Sequence, residues 1–215
     1  MKKDLTELIL ILDKSGSMAG LEDDTVGGYN AFIKKQKAEK GTAFVTTVLF
    51  SSVYNLLHDH VPIEEVGELT NKEYCPGGTT ALLDVLGTAI TSVTRRIIDT
   101  PEEERPEKVV FVVTTDGYEN SSKEFKLKGI RKLIEHRQKE DGWVFLFLGA
   151  NIDAVEEAAN LGMDTRFART YTNSSKGVGT VYTAMGQTVS KIRENSYATM
   201  DALSEAVAKD LDSVE

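Results

Sequence analysis

The sequence predicts an α/β fold: one doubly wound domain with a mainly parallel sheet and helices on both faces. Three continuous apolar runs, "LTELILILD" (5–13), "KVVFVVTTD" (108–116) and "WVFLFLGA" (143–150), have the composition of strands buried on both sides. Between them lie stretches with apolar residues at helical spacing, and that alternation implies parallel strands joined by helical crossovers. No internal repeat and no Gly- or Pro-rich linker divides the 215 residues, so a single domain over 1–215 is expected.

Taken in order, the first strand stops abruptly in polar turn chemistry at Asp13. From Glu22 to Lys40, Val26, Tyr29, Phe32 and Ile33 form one helical stripe with lysines on the other face. "TAFVTTVLF" (42–50) and "VYNLLHDHV" (53–61) read as adjacent strands, and "CPGG" (75–78) marks a loop. From Thr79 to Asp99 a long helix is expected, with Leu82, Val85, Leu86, Ile90, Val93 and Ile97 on one stripe. "TPEEERPE" is an acidic surface loop, and 123–140 a basic amphipathic helix. "NIDAVEEAANLGM" predicts a helix ended by Gly162, and "TRFAR" a short edge strand. The last forty or so residues read as mostly helical, with the tail after about Ser204 expected to fray.

Composition narrows the function. A net charge of −9 argues against nucleic acid or an anionic membrane as partner, since both need a basic surface, but an acidic protein attracts cations. The single cysteine, Cys75, excludes an internal disulfide framework and an all-cysteine metal site. Near the N-terminus the apolar stretch spans only Leu8 to Leu12, too short for a signal core or a membrane span, and nothing longer follows. A reducing, cytoplasmic location is the expectation, which makes the Asn120-Ser121-Ser122 and Asn173-Ser174-Ser175 sequons chance matches.

In doubly wound sheets ligands bind beyond the carboxyl ends of the strands, where neighbouring loops converge. Three polar clusters fall at such loops: "DKSGS" with Asp13, Ser15 and Ser17; "CPGGTTALLD" with Thr79 and Thr80; and "VVTTDGYEN" with Asp116. Their carboxylates and hydroxyls form an all-oxygen set that suits a hard divalent cation, Mg²⁺ or Mn²⁺, with water in part of its shell.

In this order and at these intervals, "DKSGSM", "GGTTALLD" and "TTDG" resemble the metal-ion-dependent adhesion site of von Willebrand factor A domains. The family pattern is Asp-x-Ser-x-Ser, a distant Thr and a more distant Asp. Asp13, Ser15 and Ser17 match the first part and Asp116 the last. Thr80 fits the middle better, because Thr80-Ala81-Leu82-Leu83-Asp84-Val85-Leu86 satisfies Thr-x-φ-x-Asp-x-φ (φ apolar); Thr79 remains the alternative. The resemblance covers about residues 5–170, and it is to small, free-standing cytosolic bacterial members of the family. It implies a Rossmann-like sheet with 42–50 inside and 53–60 antiparallel at an edge, followed by a C-terminal helical extension over about 173–215. It also implies Mg²⁺ or Mn²⁺ held by Asp13, Ser15, Ser17, Thr80 and Asp116, with the hydroxyls bound directly and the aspartates directly or through water. An Asp or Glu from a partner protein would complete the octahedron.

Plainer readings exist for each part. Asp13, Ser15 and Ser17 suit ordinary turn and helix-capping chemistry, Thr79 and Thr80 a helix cap, and Asp116 a type I turn before Gly117. Asp84 reads as a surface residue compensating a helix dipole, and Cys75 as a plain buried thiol. "HDH" (58–60) spaces two imidazoles for zinc but lacks a third ligand, so a solvated strand end is expected. "GVGTVY" (177–182) lacks the third glycine of a dinucleotide loop, and Lys34, Lys35 and Lys37 read as a solvated face.

The function expected is metal-dependent protein binding without catalysis. The alternative is a Mg²⁺-dependent hydrolase, such as a phosphohydrolase of the haloacid-dehalogenase type, which needs a second Asp two positions after the first. Position 15 is serine, and neither a P-loop, a Gly-x-Ser-x-Gly elbow nor a general base accompanies the three loops. Met18, Leu21, Tyr118, Glu119 and Asn120 are the candidates for a specificity rim. The oligomeric state is not encoded legibly.

Overall fold

A computed structural model describes residues 1–194 and 200–212 of the chain. The elements are β1 (Lys2–Asp13), α1 (Glu22–Lys37), β2 (Thr42–Phe50), β3 (Tyr54–Pro62), α2 (Leu82–Asp99), β4 (Pro106–Thr115), α3 (Leu127–Asp141), β5 (Val144–Ala150), α4 (Ala154–Leu161), β6 (Ala168–Tyr171), α5 (Ser175–Glu194) and α6 (Met200–Asp212). The six strands form one sheet in the order β3-β2-β1-β4-β5-β6. Every pairing is parallel except β2 with β3, which is antiparallel and puts β3 at the edge. No described helix is long and apolar enough to cross a membrane.

Side chains of a strand alternate between faces, and here both faces are covered. From β1, Leu8, Leu10 and Leu12 join Tyr29, Phe32 and Ile33 of α1 and Val181, Met185 and Val189 of α5 in one core layer. Ile9 and Ile11 join Leu82, Leu86 and Ile90 of α2, Ile130 and Ile134 of α3, and Ala158 of α4 in the other. Burial on both sides is why β1, β4 and β5 are apolar without interruption. Helix α5 belongs to the first layer, where Val178, Val181, Ala184 and Met185 are fully buried or nearly so, and Leu203 and Val207 of α6 join it.

This strand order positions the site. The chain leaves β1 towards β2 on one side, whereas β4 lies on the other, so the order reverses between β1 and β4. At such a switch point the following loops diverge and open a crevice. Leu12 is in register with Thr114, which brings the carboxyl ends of both strands together.

Several expectations are corrected. Helix α2 begins at Leu82 and α3 at Leu127, each later than the periodicity suggests. Asp84 accounts for the second delay: its carboxylate accepts the backbone N–H groups of Lys123 (2.7 Å), Glu124 (3.0 Å) and Phe125 (2.8 Å), which holds them in a loop. It is therefore a structural tie, not a residue that merely offsets a dipole. Burial would raise the Asp84 carboxyl, but these N–H donors outweigh it and hold it below the ordinary value. The edge strand near "TRFAR" starts at Ala168, after a 3-10 turn over Thr165–Phe167. Instead of fraying after Ser204, α6 continues to Asp212 with Val207 buried; residues 213–215 lie outside the described range.

Cys75 is exposed, not buried, and its Sγ donates to the Asn71 carbonyl oxygen at 3.2 Å. "HDH" is neither a zinc pair nor a solvated end. His60 has φ +53° and the β2–β3 register shifts beside it, as at a bulge. His58 Nδ1 consequently meets Tyr29 Oη (3.3 Å) on the α1 side, while His60 Nδ1 meets Glu7 Oε2 (2.8 Å) on the α2 side. "GVGTVY" lies within α5. Of the three lysines, Lys37 departs from a solvated face by donating to the Val66 carbonyl oxygen at 2.8 Å.

Candidate metal centre

Where β1 ends, Asp13 turns inward and is 1% exposed. Its Oδ1 accepts the Ser15 N–H at 2.6 Å, closing the local turn that an Asp favours. Its Oδ2 accepts from Thr115 Oγ1 at 2.6 Å, and its backbone oxygen accepts from the buried Tyr74 Oη at 2.6 Å. One residue is thus held by three different segments.

The turn carries Ser15 Oγ to 3.1 Å from Ser17 Oγ. Ser17 Oγ donates to Asp116 Oδ1 at 2.6 Å, and Asp116 Oδ2 accepts from Asn173 Nδ2 at 3.3 Å. The middle loop is joined to the first by Gly16 N–H to the Gly78 oxygen (3.1 Å) and Gly77 N–H to the Lys14 oxygen (2.8 Å). Gly78 makes this approach at φ +82°, where any side chain would be strained and a Cβ would lie 2.9 Å from Ser52 Oγ. The middle loop is joined to the third by a reciprocal pair, Thr80 N–H to Asn120 Oδ1 and Asn120 N–H to the Thr80 oxygen, both 3.0 Å.

Thr80, rather than Thr79, is the threonine brought to this point. Thr80 is buried and Thr79 exposed. A Cβ placed on Gly117 would lie 3.2 Å from Thr80 Oγ1, so that hydroxyl sits directly against the backbone after Asp116. Neither threonine caps α2, whose N-cap is Ala81.

Asp13, Ser15, Ser17, Thr80 and Asp116 therefore converge at the switch point, and the donor chemistry tests whether a cation fits them. Burial raises the Asp13 carboxyl above its ordinary value; hydrogen bonds from Thr115 and Ser15 oppose this, and the nearby Asp116 charge adds to it. The described hydrogen-bond partners of both carboxylates are neutral: Ser15 N–H, Thr115, Ser17 and Asn173. Two close, shielded carboxylates with neutral donors leave negative charge that a divalent cation would offset. Every candidate ligand atom is a hard oxygen, as Mg²⁺ and Mn²⁺ prefer. No group of three or more His, Cys, Asp or Glu among the described residues could hold a metal, so a cation here must also use the hydroxyls. The residues fit such an ion.

The expected rim is mostly structural. Met18 is buried at 4% exposure, and Leu21 packs against the core. Glu119 accepts the N–H groups of Leu83, Ser121 and Ser122. Tyr118, 53% exposed, does face solvent. Sequence reasoning missed Thr115, Tyr74 and Asn173. Thr115 stands beside Asp116 in "TTDG", and Asn173 follows the sixth strand, where a polar loop residue is itself a signal.

No protein-family model matches the chain, and no curated protein matches it. Its likenesses are to solved structures. Proximal thread matrix protein 1 from the mussel byssus aligns over 94% of this chain and 46% of its own, at 16% identity and TM-score 0.56. Another structure of that protein (TM-score 0.52, 18% identity) has a zinc-occupied metal-ion-dependent adhesion site motif. A von Willebrand factor type A protein from Catenulispora acidiphila aligns over 96% of this chain and 42% of its own, at 13% identity and TM-score 0.54. The von Willebrand factor domain of the type V pili tip protein Mfa5 from Porphyromonas gingivalis aligns over 90% and 98%, at 13% identity and TM-score 0.61. The chain thus spans less than half of the mussel and Catenulispora chains and nearly all of the pilus-tip domain. With its six-stranded order and single antiparallel edge, this chain has the von Willebrand factor A fold.

Proposed function

We propose that the protein is a metal-dependent binding module that captures a partner protein through an Asp or Glu side chain. The observation that carries this reading is the convergence of Asp13 and Asp116, with only neutral described partners, on Ser15, Ser17 and Thr80. Ser15, Ser17 and Thr80 would hold Mg²⁺ or Mn²⁺ through their hydroxyls, and Asp13 and Asp116 would do so directly or through water. Where the aspartates hold the ion through water they would sit too far from it to screen its charge fully, and the neutral hydroxyls add no negative charge, so an incoming carboxylate would still be attracted.

What the protein itself contributes is orientation. Thr115 and the Ser15 N–H fix both oxygens of Asp13, and Ser17 and Asn173 fix both oxygens of Asp116. Ser17 remains exposed, so a partner carboxylate could approach from that side, and Tyr118 stands open on the third loop. The net charge of −9 repels an acidic partner at long range, so selectivity would rest on short-range contacts around the opening. Position 15 is a buried serine where a phosphohydrolase of the haloacid-dehalogenase type would carry its second Asp, and this favours binding over catalysis in the reading proposed. The zinc-occupied motif of the mussel protein and the pilus-tip domain support a divalent ion and a protein partner. The single cysteine is consistent with a cytoplasmic setting, which is part of the proposal.

Affinity capture from native lysate, run with Mg²⁺ and with EDTA, tests the reading. Capture should require Mg²⁺ and be lost with Asp13→Ala or Thr80→Ala while circular dichroism shows an intact fold. Equal capture in EDTA would overturn the carboxylate mechanism.

A further inference from the structure

The loop after β6 brings Asn173 to the site, a side chain outside the three-loop pattern. Asn173 Nδ2 donates to Asp116 Oδ2 at 3.3 Å, while Ser17 donates to Oδ1 at 2.6 Å. Asp116 is thereby aimed from both oxygens without being neutralised, which a Lys or Arg at position 173 would not achieve. The other amide atom, Asn173 Oδ1, is buried and has no hydrogen-bond partner among the described residues. Turning the amide over would set its oxygen against the Asp116 carboxylate, so chemistry requires the observed orientation.

The backbone holds this loop in place. Asn173 N–H donates to Asn151 Oδ1 (3.4 Å), and Ser174 N–H donates to the Thr172 oxygen (2.8 Å). Gly177, in the first turn of α5, lies so close beneath that a Cβ there would fall 1.9 Å from the Thr172 oxygen. Asn173 is built into its position.

We infer that Asn173 is a positioning residue of the metal centre: through Nδ2 it holds Asp116 Oδ2 while Ser17 holds Oδ1, and so aims that carboxylate for a bound cation. The inference rests on the metal reading above. A neutral amide does this without adding a third carboxylate to a site where Asp13 and Asp116 already repel each other.

Mn²⁺ titration of the full chain, followed by calorimetry and by the electron paramagnetic resonance of free Mn²⁺, tests this with wild type, Asn173→Ala and Asn173→Asp. Melting of each in EDTA reports the fold. Wild type should bind Mn²⁺, and Asn173→Ala should bind about 10–100-fold more weakly, the usual loss when a partner of a metal ligand is removed. The melting temperature of Asn173→Ala in EDTA should not fall, because the substitution also removes the orphaned oxygen. Asn173→Asp should melt lower than wild type in EDTA, through repulsion with Asp116, and recover when Mn²⁺ is added. A purely structural role would lower the EDTA melting temperature of Asn173→Ala and leave its Mn²⁺ affinity at the wild-type level, and that result overturns the inference. Failure of wild type to bind Mn²⁺ would instead overturn the metal reading, and the role of Asn173 with it.

Discussion

Ser17 and Asp116 stand 99 residues apart in the chain, yet Ser17 Oγ donates to Asp116 Oδ1 at 2.6 Å. The loop after β1 reaches the loop after β4 because these strands are parallel neighbours at the point where the strand order reverses. Donating this bond uses the hydroxyl hydrogen and no lone pair, so the Ser17 oxygen keeps a lone pair for an ion. Ser17→Ala should remove a hydroxyl ligand and loosen Asp116 together. Calorimetry should then show the Mg²⁺ heat lost or strongly reduced, with melting in EDTA close to wild type because Ser17 is exposed. Undiminished heat would remove Ser17 from the site.

In the proposed centre Thr115 would act one step further from the ion. Its hydroxyl donates to Asp13 Oδ2 at 2.6 Å. Thr115→Val keeps the shape but leaves that buried oxygen without its donor, and burial already raises the Asp13 carboxyl. Cation affinity should fall about 10–100-fold, as when other partners of metal ligands are removed. Thr115→Ser, which keeps the hydroxyl, should restore most of it. Equal Mn²⁺ affinity for the Val and Ser variants would show that the bond does not position Asp13.

These two cases show what the sequence makes legible. Leu8 to Leu12 alternate between two covered faces, and that pattern is written into local composition, as is the polar stop at Asp13. The carboxyl ends of β1 and β4 carry their aspartates at the strand boundary, so the fold and the meeting of these two side chains at one place could be read together. Tyr74 could not, because its contact depends on which loop the packing brings against Asp13, and Asn173 signals only its place after a strand, not its contact with Asp116. Likewise, no periodicity foretells that His58 and His60 face opposite sides. The left-handed backbone at His60 and the shifted β2–β3 register separate them. The late start of α3 belongs to the same class: only a distant Asp84 explains why 123–125 resist a helix.

Asp84 makes a prediction of its own in acid. Its folded carboxyl lies below the ordinary value of 3.8, since the N–H groups of Phe125, Lys123 and Glu124 outweigh the effect of burial. A lowered carboxyl stabilises the fold above its unfolded value, and that contribution disappears as pH falls through the folded value. Asp84→Asn should therefore be less stable than wild type at neutral pH, by about 1–2 kcal/mol given the partly open carboxylate. The two stability curves should converge below the ordinary carboxylate value. Urea unfolding in EDTA across that range checks it, and a constant gap down to the acid limit would contradict the assignment.

The last prediction concerns the opposite end of the sheet and serves as a control for the metal centre. Glu7, 2% exposed in β1, receives Arg96 Nη1 at Oε1 (2.7 Å) and His60 Nδ1 at Oε2 (2.8 Å). Arg96 also pairs with Asp59, and His60 stacks on Phe44 with ring centroids 4.0 Å apart. Helix α2 is thereby tied to β1 and to the edge strand β3. Arg96→Met removes the strongest partner of a buried carboxylate, and breaking such a pair from one side costs about 3–5 kcal/mol. Replacing both partners, with Glu7→Leu and Arg96→Met, removes the stranded charge and should recover much of that loss. Glu7 and Asp13 are six residues apart on one strand, about 20 Å at strand rise, so Mn²⁺ affinity should be unchanged in the double variant. Urea unfolding and Mn²⁺ titration of wild type, Arg96→Met and the double variant together check both halves. If the double variant were no more stable than Arg96→Met, the Glu7 charge would not be the source of the loss; if its Mn²⁺ affinity fell with its stability, the two ends of β1 would be coupled and the ion-pair cluster would belong to the function.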